Sequence, residues 1–157
     1  MPIFFQHQVD ENTRLGIWKI EEDVSFFDVP LQREIKHINK KLQHLAGRFL
    51  LRYLFDDFPL QLIQIADTRK PFLQSEAFHF SISHCGDYAA AIVSRDKRVG
   101  IDIEIPTEKV QRIKHKFLHS DEFDLFNSTV QDEDSNLQTE NLTLLWSCKE
   151  AVFKWWS

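Results

Sequence analysis

Asp102 and Glu104 stand two residues apart in "VGIDIEIP", residues 99 to 106, and Glu150 and Lys154 stand four apart in "WSCKEAVFK", residues 146 to 154. Side chains at i and i+2 of a strand share a face, and so do those at i and i+4 of a helix. Two neighbouring carboxylates repel each other until a divalent cation sits between them. Three carboxylates with a lysine one turn on describe a seat for a hard cation beside a phosphate, with oxygen ligands for Mg²⁺ and an ammonium for the anion the metal carries. Taken piece by piece, each pair also has a plainer explanation: an exposed sheet edge for Asp102 and Glu104, and a surface ion pair for Glu150 and Lys154.

Other chemistry is weaker. His115 and His119 have the helical spacing of a zinc pair, yet no third ligand stands at a recognised spacing and no glutamate completes an HExxH pattern. Ser83 and His84 are adjacent on a strand and point opposite ways, which disfavours a nucleophile and base in hydrogen-bond contact.

These residues need elements to position them. "FHFSISH" (78–84) alternates, with Phe78, Phe80 and Ile82 on one face and His79, Ser81 and Ser83 on the other. Together with "YAAAIVS" and "RVGIDIEI" it predicts a three-stranded antiparallel meander over residues 78 to 104. "LGIWKI" (15–20) reads as a short strand. Residues 31 to 55 place Ile35, Ile38, Leu42, Leu45, Phe49 and Tyr53 at helical steps. After Pro106 the pattern predicts helices over 107–118, from Ser120, and over 142–156, with the polar, acidic stretch 127–141 as a mobile loop.

A net charge of −5 argues against partners recognised by excess basic charge, nucleic acid and anionic membranes above all. No apolar run is long enough for a signal peptide or membrane span. Cys85 and Cys148 are too few for a disulfide framework, and a reducing cytoplasm fits best.

"VGIDIE" followed by "WSCKEAVFK" resembles the paired signature of the 4′-phosphopantetheinyl transferases, of the larger pseudo-dimeric kind that activates surfactin synthetase and similar carrier-protein systems. "RKPFL", "FSISHCGDYAAAIVS", "FLHSDEFDLF" and "HLAGRFLLRYL" extend the resemblance over about residues 30 to 157. It implies an α+β fold of two similar subdomains, each a long helix packed on a small antiparallel sheet and related by a pseudo-twofold. Residues 1–104 would form the first and 105–157 the second. It implies that Asp102, Glu104 and Glu150 hold Mg²⁺, with Lys154 on the coenzyme A pyrophosphate and Lys149 close by. Lys70, Ser83 and His84 would hold the nucleotide end, and Glu122 would lie near the metal.

A basic residue on the long helix usually helps with the 3′-phosphate, but Gln43 stands at the aligned position. Arg33, Lys36 or Arg48 would then substitute. The implied reaction moves phosphopantetheine to a serine of an apo acyl, peptidyl or polyketide carrier protein. Glu150, alone or through a metal-bound water, is the first candidate for the base and Glu122 the second. The alternatives are a noncatalytic module that binds coenzyme A or a carrier protein, and a Mg²⁺-dependent phosphohydrolase. Because the sequence stops in mid-helix at Ser157, the second half is expected to be incomplete and the native protein longer. A longer chain is expected to be a monomer.

Overall fold

The computed structural model describes residues 3–32, 34–130 and 134–157. Among the described residues, two sheets and four α-helices make a mixed α+β structure. Strands β1 (Ile3–Gln8), β2 (Thr13–Lys19), β5 (His79–Cys85) and β6 (Tyr88–Ser94) form an antiparallel sheet in the order β1-β2-β6-β5, and β3 (Ile63–Ile65) pairs with β4 (Pro71–Leu73) in a small second sheet. The helices are α1 (Ile38–Leu54), α2 (Lys109–Ile113), α3 (Ser120–Val130) and α4 (Ser135–Trp156).

Helix α1 lies across the main sheet. Leu45, Ala46, Leu50, Leu51 and Leu54 are all buried, facing Trp18, Phe80, Ala89, Ala91 and Val93. Each fully buried leucine contributes about 1.5–3 kcal/mol relative to an exposed one. Trp18 is wedged edge-on between Phe49 and Tyr53, at centroid distances of 5.1 and 5.7 Å.

The helix starts later than its apolar spacing predicts, with residues 34–37 outside it, and Ile38 is left exposed. The buried face is turned toward Ala46, Leu50 and Leu54 because the helix must sit on the small-residue surface of β6, "AAA" at 89–91.

Two strand-level expectations change. Strands β5 and β6 form the predicted hairpin, turning through Gly86, whose φ of +54° lies in the left-handed region that glycine tolerates. The third strand of the meander does not form. Residues 99–106 run extended without a ladder, and β2 takes the place beside β6, pairing Thr13 with Ser94 through Lys19 with Tyr88.

The stretch expected as a mobile loop is helical on both sides. Helix α3 continues to Val130 and α4 begins at Ser135, where the Asp134 carboxylate accepts from the Asn136 N–H at 3.0 Å. That side-chain cap, with Leu142 and Thr143 buried about two turns on, lets a polar sequence start a helix that apolar spacing does not announce. Residues 131–133 lie outside the described residues.

Candidate active site

Strand β5 is the edge of the main sheet, and segment 99–105 lies along it. Side chains hold the two together. The Ile101 N–H donates to Ser81 Oγ at 3.2 Å, Ser83 Oγ donates to Asp102 Oδ1 at 2.8 Å, and Cys85 Sγ donates to Glu104 Oε2 at 3.4 Å. Positions 81, 83 and 85 share one face of the strand, so its polar face meets segment 101–104 in parallel. The alternation "DIE" is therefore real, but its partner is a row of hydroxyl and thiol groups rather than a backbone ladder.

Helix α4 closes over this segment. A Cβ at Gly100 would lie 2.1 Å from the Ala151 carbonyl oxygen and 2.8 Å from the Trp155 nitrogen, so only glycine lets the segment meet the helix backbone directly. Contact at that distance fixes which helix residues face Asp102. Ser147 Oγ donates to Asp102 Oδ2 at 3.0 Å, Lys154 Nζ reaches Asp102 Oδ1 at 2.6 Å, and the Trp146 indole N–H reaches Glu104 Oε1 at 3.4 Å.

The Lys154 ammonium is fully engaged. Besides Asp102 it donates to Ser83 Oγ at 3.0 Å and to the Ile101 carbonyl at 3.2 Å. The Asp102 side chain is only 5% exposed. In such an environment the pairing and the two serine hydroxyls offset the cost of desolvating the carboxylate.

A second ion pair stands on the same helix. Lys149 Nζ meets Glu122 Oε2 at 2.6 Å and the Phe117 carbonyl at 2.8 Å. Glu122 Oε2 also accepts from the His119 backbone N–H at 2.9 Å, the reciprocal half of a capping box at the start of α3. Lys149, then the His119 N–H, draw the Glu122 carboxyl below its ordinary value of 4.5.

A depressed carboxyl contributes stability above its unfolded value and loses it as pH falls through the folded one. Acid below about pH 4.5 is therefore expected to loosen α3 from α4. In calorimetry, Glu122→Gln should lose less melting temperature than the parent between about pH 6 and pH 3.5. Identical losses would show that this pair carries no acid sensitivity.

The other predicted residues are spread around this centre. Glu150 is half-buried and has no hydrogen bond or ion pair to any described residue. Lys70 Nζ caps the end of α4, donating to the Lys154 carbonyl at 2.8 Å and to the Ser157 carbonyl. Burial, then the charge of Arg98, pushes its pKa down. Lys70 also borders a cavity of about 320 Å³ lined by Pro71, Phe78, Arg98, Val99 and Trp155. His84 sits at the far end of β5 with its pKa lowered, first by desolvation and then by Lys154.

Of the substitutes for the missing helix cation, Arg48 is buried, with its Nε donating to His44 Nε2 at 3.0 Å. A guanidinium held inside the fold does not present itself to a phosphate at the surface, so Arg48 is set aside. Lys36 is exposed ahead of α1 and no described contact ties it to the site; Arg33 lies outside the described residues. Gln43 instead reaches the Gly86 carbonyl at 2.8 Å, bracing the turn beside His84.

Among the described residues, no three carboxylate, histidine or cysteine side chains are gathered closely enough to hold a metal ion, and this includes His115 and His119. The donor set itself is that of a hard cation. Asp102 and Glu104 come from one segment and Glu150 from the helix packed on it; Glu104 has only two weak partners at 3.4 Å and Glu150 has none among the described residues.

Sequence reasoning missed Ser147, Trp146, Ser81 and Cys85. The polar alternation of β5 carried the signal for two of them.

The sequence model of the 4′-phosphopantetheinyl transferase superfamily matches residues 98–157, the span that carries Gly100, both acidic positions of segment 99–105, Glu122, Lys149, Glu150 and Lys154. Over that span the chain resembles the 4′-phosphopantetheinyl transferase superfamily.

Among its relatives, "4'-phosphopantetheinyl transferase psf-1" of Bacillus pumilus is 29% identical over 152 residues, 92% of this chain and 63% of the relative. "4'-phosphopantetheinyl transferase gsp" of Aneurinibacillus migulanus is 31% identical over 130 residues, covering 78% of this chain and 52% of the relative. "Enterobactin synthase component D" of Escherichia coli (strain K12) is 37% identical over 79 residues, 48% of this chain and 37% of the relative. The chain thus spans between about a third and two thirds of the length of these relatives.

Proposed function

We propose that the chain carries the active centre of an enzyme that moves 4′-phosphopantetheine from coenzyme A to a serine of an apo acyl, peptidyl or polyketide carrier protein. The observation that supports this most is the Asp102–Lys154 contact, built by segment 99–105 and α4, the two elements that hold the paired signature. Cytoplasmic residence belongs to the same reading, and no described helix is long and apolar enough to cross a membrane. So does a division into residues 1–104 and 105–157, since α2, α3 and α4 follow the sheet with no strand among the described residues.

In this mechanism Asp102, Glu104 and Glu150 would be the residues to hold Mg²⁺, which would supply charge neutralisation at the coenzyme A pyrophosphate. Lys154 supplies an ammonium to the phosphoryl oxygens, and Lys149 adds positive charge on the neighbouring turn. Lys70, Ser83 and His84 hold the nucleotide end, with the cavity beside Lys70 and Trp155 as room for the base. Glu150 takes the proton of the serine hydroxyl as its oxygen attacks. The new bond joins that oxygen to the pantetheine-side phosphorus. The pyrophosphate P–O bond breaks, and adenosine 3′,5′-bisphosphate leaves with the electron pair. Little covalent help is needed; positioning and charge neutralisation carry the step.

The direct test incubates the purified chain with Mg²⁺, coenzyme A and an apo carrier protein, and reads the carrier's intact mass. A gain of one phosphopantetheine that disappears without Mg²⁺ supports the reading; a carrier that is bound but never modified would turn the assignment toward a noncatalytic module. Glu150→Gln is expected to cut transfer by roughly 10²- to 10⁴-fold, the usual contribution of a general base, while coenzyme A binding stays measurable. Turnover near that of the parent would remove Glu150 from the role.

A further inference from the structure

Charge is not spread evenly over this acidic chain. Residues 108 to 119, "EKVQRIKHKFLH", carry four lysines or arginines and two histidines against one glutamate, in a protein of net charge −5. They form α2 and the 3₁₀ turn Lys114–Lys116 that follows it. The inward side of this stretch is fixed. Val110 is buried, Gln111 Nε2 donates to Thr139 Oγ1 on α4 at 3.4 Å, and the Phe117 ring stands edge-on to Trp146 at 5.0 Å. Lys114 is engaged internally, its ammonium lying 5.0 Å from the centre of the Phe123 ring.

The outward side is left to Lys109, Arg112 and Lys116, at steps of three and four residues. All three are exposed, and none has a hydrogen bond, ion pair or ring contact among the described residues. Three like charges on one stripe gain nothing from each other, and they leave a positive field that a negative surface matches. The stripe borders the site. Between it and Glu104 stands Ile105, 43% exposed, and its far end is tied back through Phe117 to Trp146, whose indole N–H reaches Glu104 Oε1 at 3.4 Å. An exposed apolar residue flanked by cations suits a protein partner. A nucleic acid calls for a broader basic face than three residues on an acidic chain.

We infer that Lys109, Arg112 and Lys116 dock an acidic face of the carrier protein and bring its serine to the Glu104 edge of the site. This rests on the transferase reading. The carriers selected are then those with carboxylates beside the modified serine. Charges at the rim of an interface act on capture and on its salt dependence more than on the chemical step.

The test uses an apo carrier protein rich in Asp and Glu around its serine, with the triple variant Lys109→Glu, Arg112→Glu, Lys116→Glu. In the intact-mass assay the variant's KM for the carrier is expected to rise at least about tenfold, with kcat and the KM for coenzyme A near those of the parent. Added NaCl is expected to raise the parent's carrier KM and not the variant's. Should three reversals disturb folding, the triple change of the same residues to Gln gives a second reading, with a smaller rise in the same KM.

A carrier KM equal to the parent's in both variants would overturn the docking surface and leave the transferase reading standing, and so would duplex DNA that the parent binds and the variants release while the carrier KM stays fixed. If the parent binds the carrier without modifying it, the transferase reading falls and calorimetric titration decides the surface: weaker carrier binding by the variants supports it, and equal binding overturns it. A parent that neither binds nor modifies the carrier would overturn both.

Discussion

Asp102→Ala is expected to abolish phosphopantetheine transfer to a carrier protein and to destabilise the fold at the same time. The carboxylate gathers contacts from three places: Ser83 on β5, Ser147 on α4 and Lys154 two turns further along the same helix. Its loss leaves an ammonium that is 28% exposed without a counter-charge, and removing one partner of a largely buried pair costs about 3 kcal/mol or more.

Asp102→Asn separates the two effects. It keeps the shape and a hydrogen-bonding oxygen but not the charge, so it should recover part of the stability in urea unfolding while remaining inactive in the intact-mass assay. An Asp102→Asn protein that transfers at the parent's rate would take the carboxylate out of the chemistry.

Gly100→Ala is expected to be as damaging without touching a charge. The added methyl would meet the Ala151 carbonyl oxygen at 2.1 Å and the Trp155 nitrogen at 2.8 Å, both main-chain atoms of a regular helix, with no side chain able to step aside. Helix α4 must therefore back away from the segment, or the segment must peel from β5. Either movement separates Lys154 from Asp102. A cost of about 3 kcal/mol, at the upper end for overpacking, is the expected change in urea unfolding, together with a shifted emission from the tryptophans of α4. Parent-like unfolding in Gly100→Ala would mean that the contact is looser than this geometry.

The glycine illustrates what the sequence made legible. Its position just before two acidic residues carries a meaning that spacing does not give, because what requires it is a helix backbone about fifty residues away in the chain. The alternation of segment 99–105 was readable, and so was the face that Asp102 and Glu104 share. What was not readable was that β5 would hold that segment through Ser81, Ser83 and Cys85 instead of through a ladder. Side-chain and main-chain pairing leave the same period of two in the sequence.

Strand β1 escaped for a different reason. It is an edge strand with Phe4 and Phe5 both exposed, so neither face of it shows the polar-apolar contrast that marks a half-buried strand. Polar composition misled in the opposite direction around 127–141, where a side-chain cap and the burial of Leu142 outweigh the scarcity of apolar residues. Arg48 was offered as a substitute cation for the 3′-phosphate, yet it is buried. Its true setting depends on how far the helix is rotated on the sheet, which charge patterning does not record.

Lys154 is held twice, and by different parts of itself. Its side chain reaches Asp102, while its main-chain carbonyl is gripped by Lys70 at the end of β4's approach. If the side chain lets go, the residue does not: the helix end stays pinned to the small sheet, and the arm turns on a fixed shoulder.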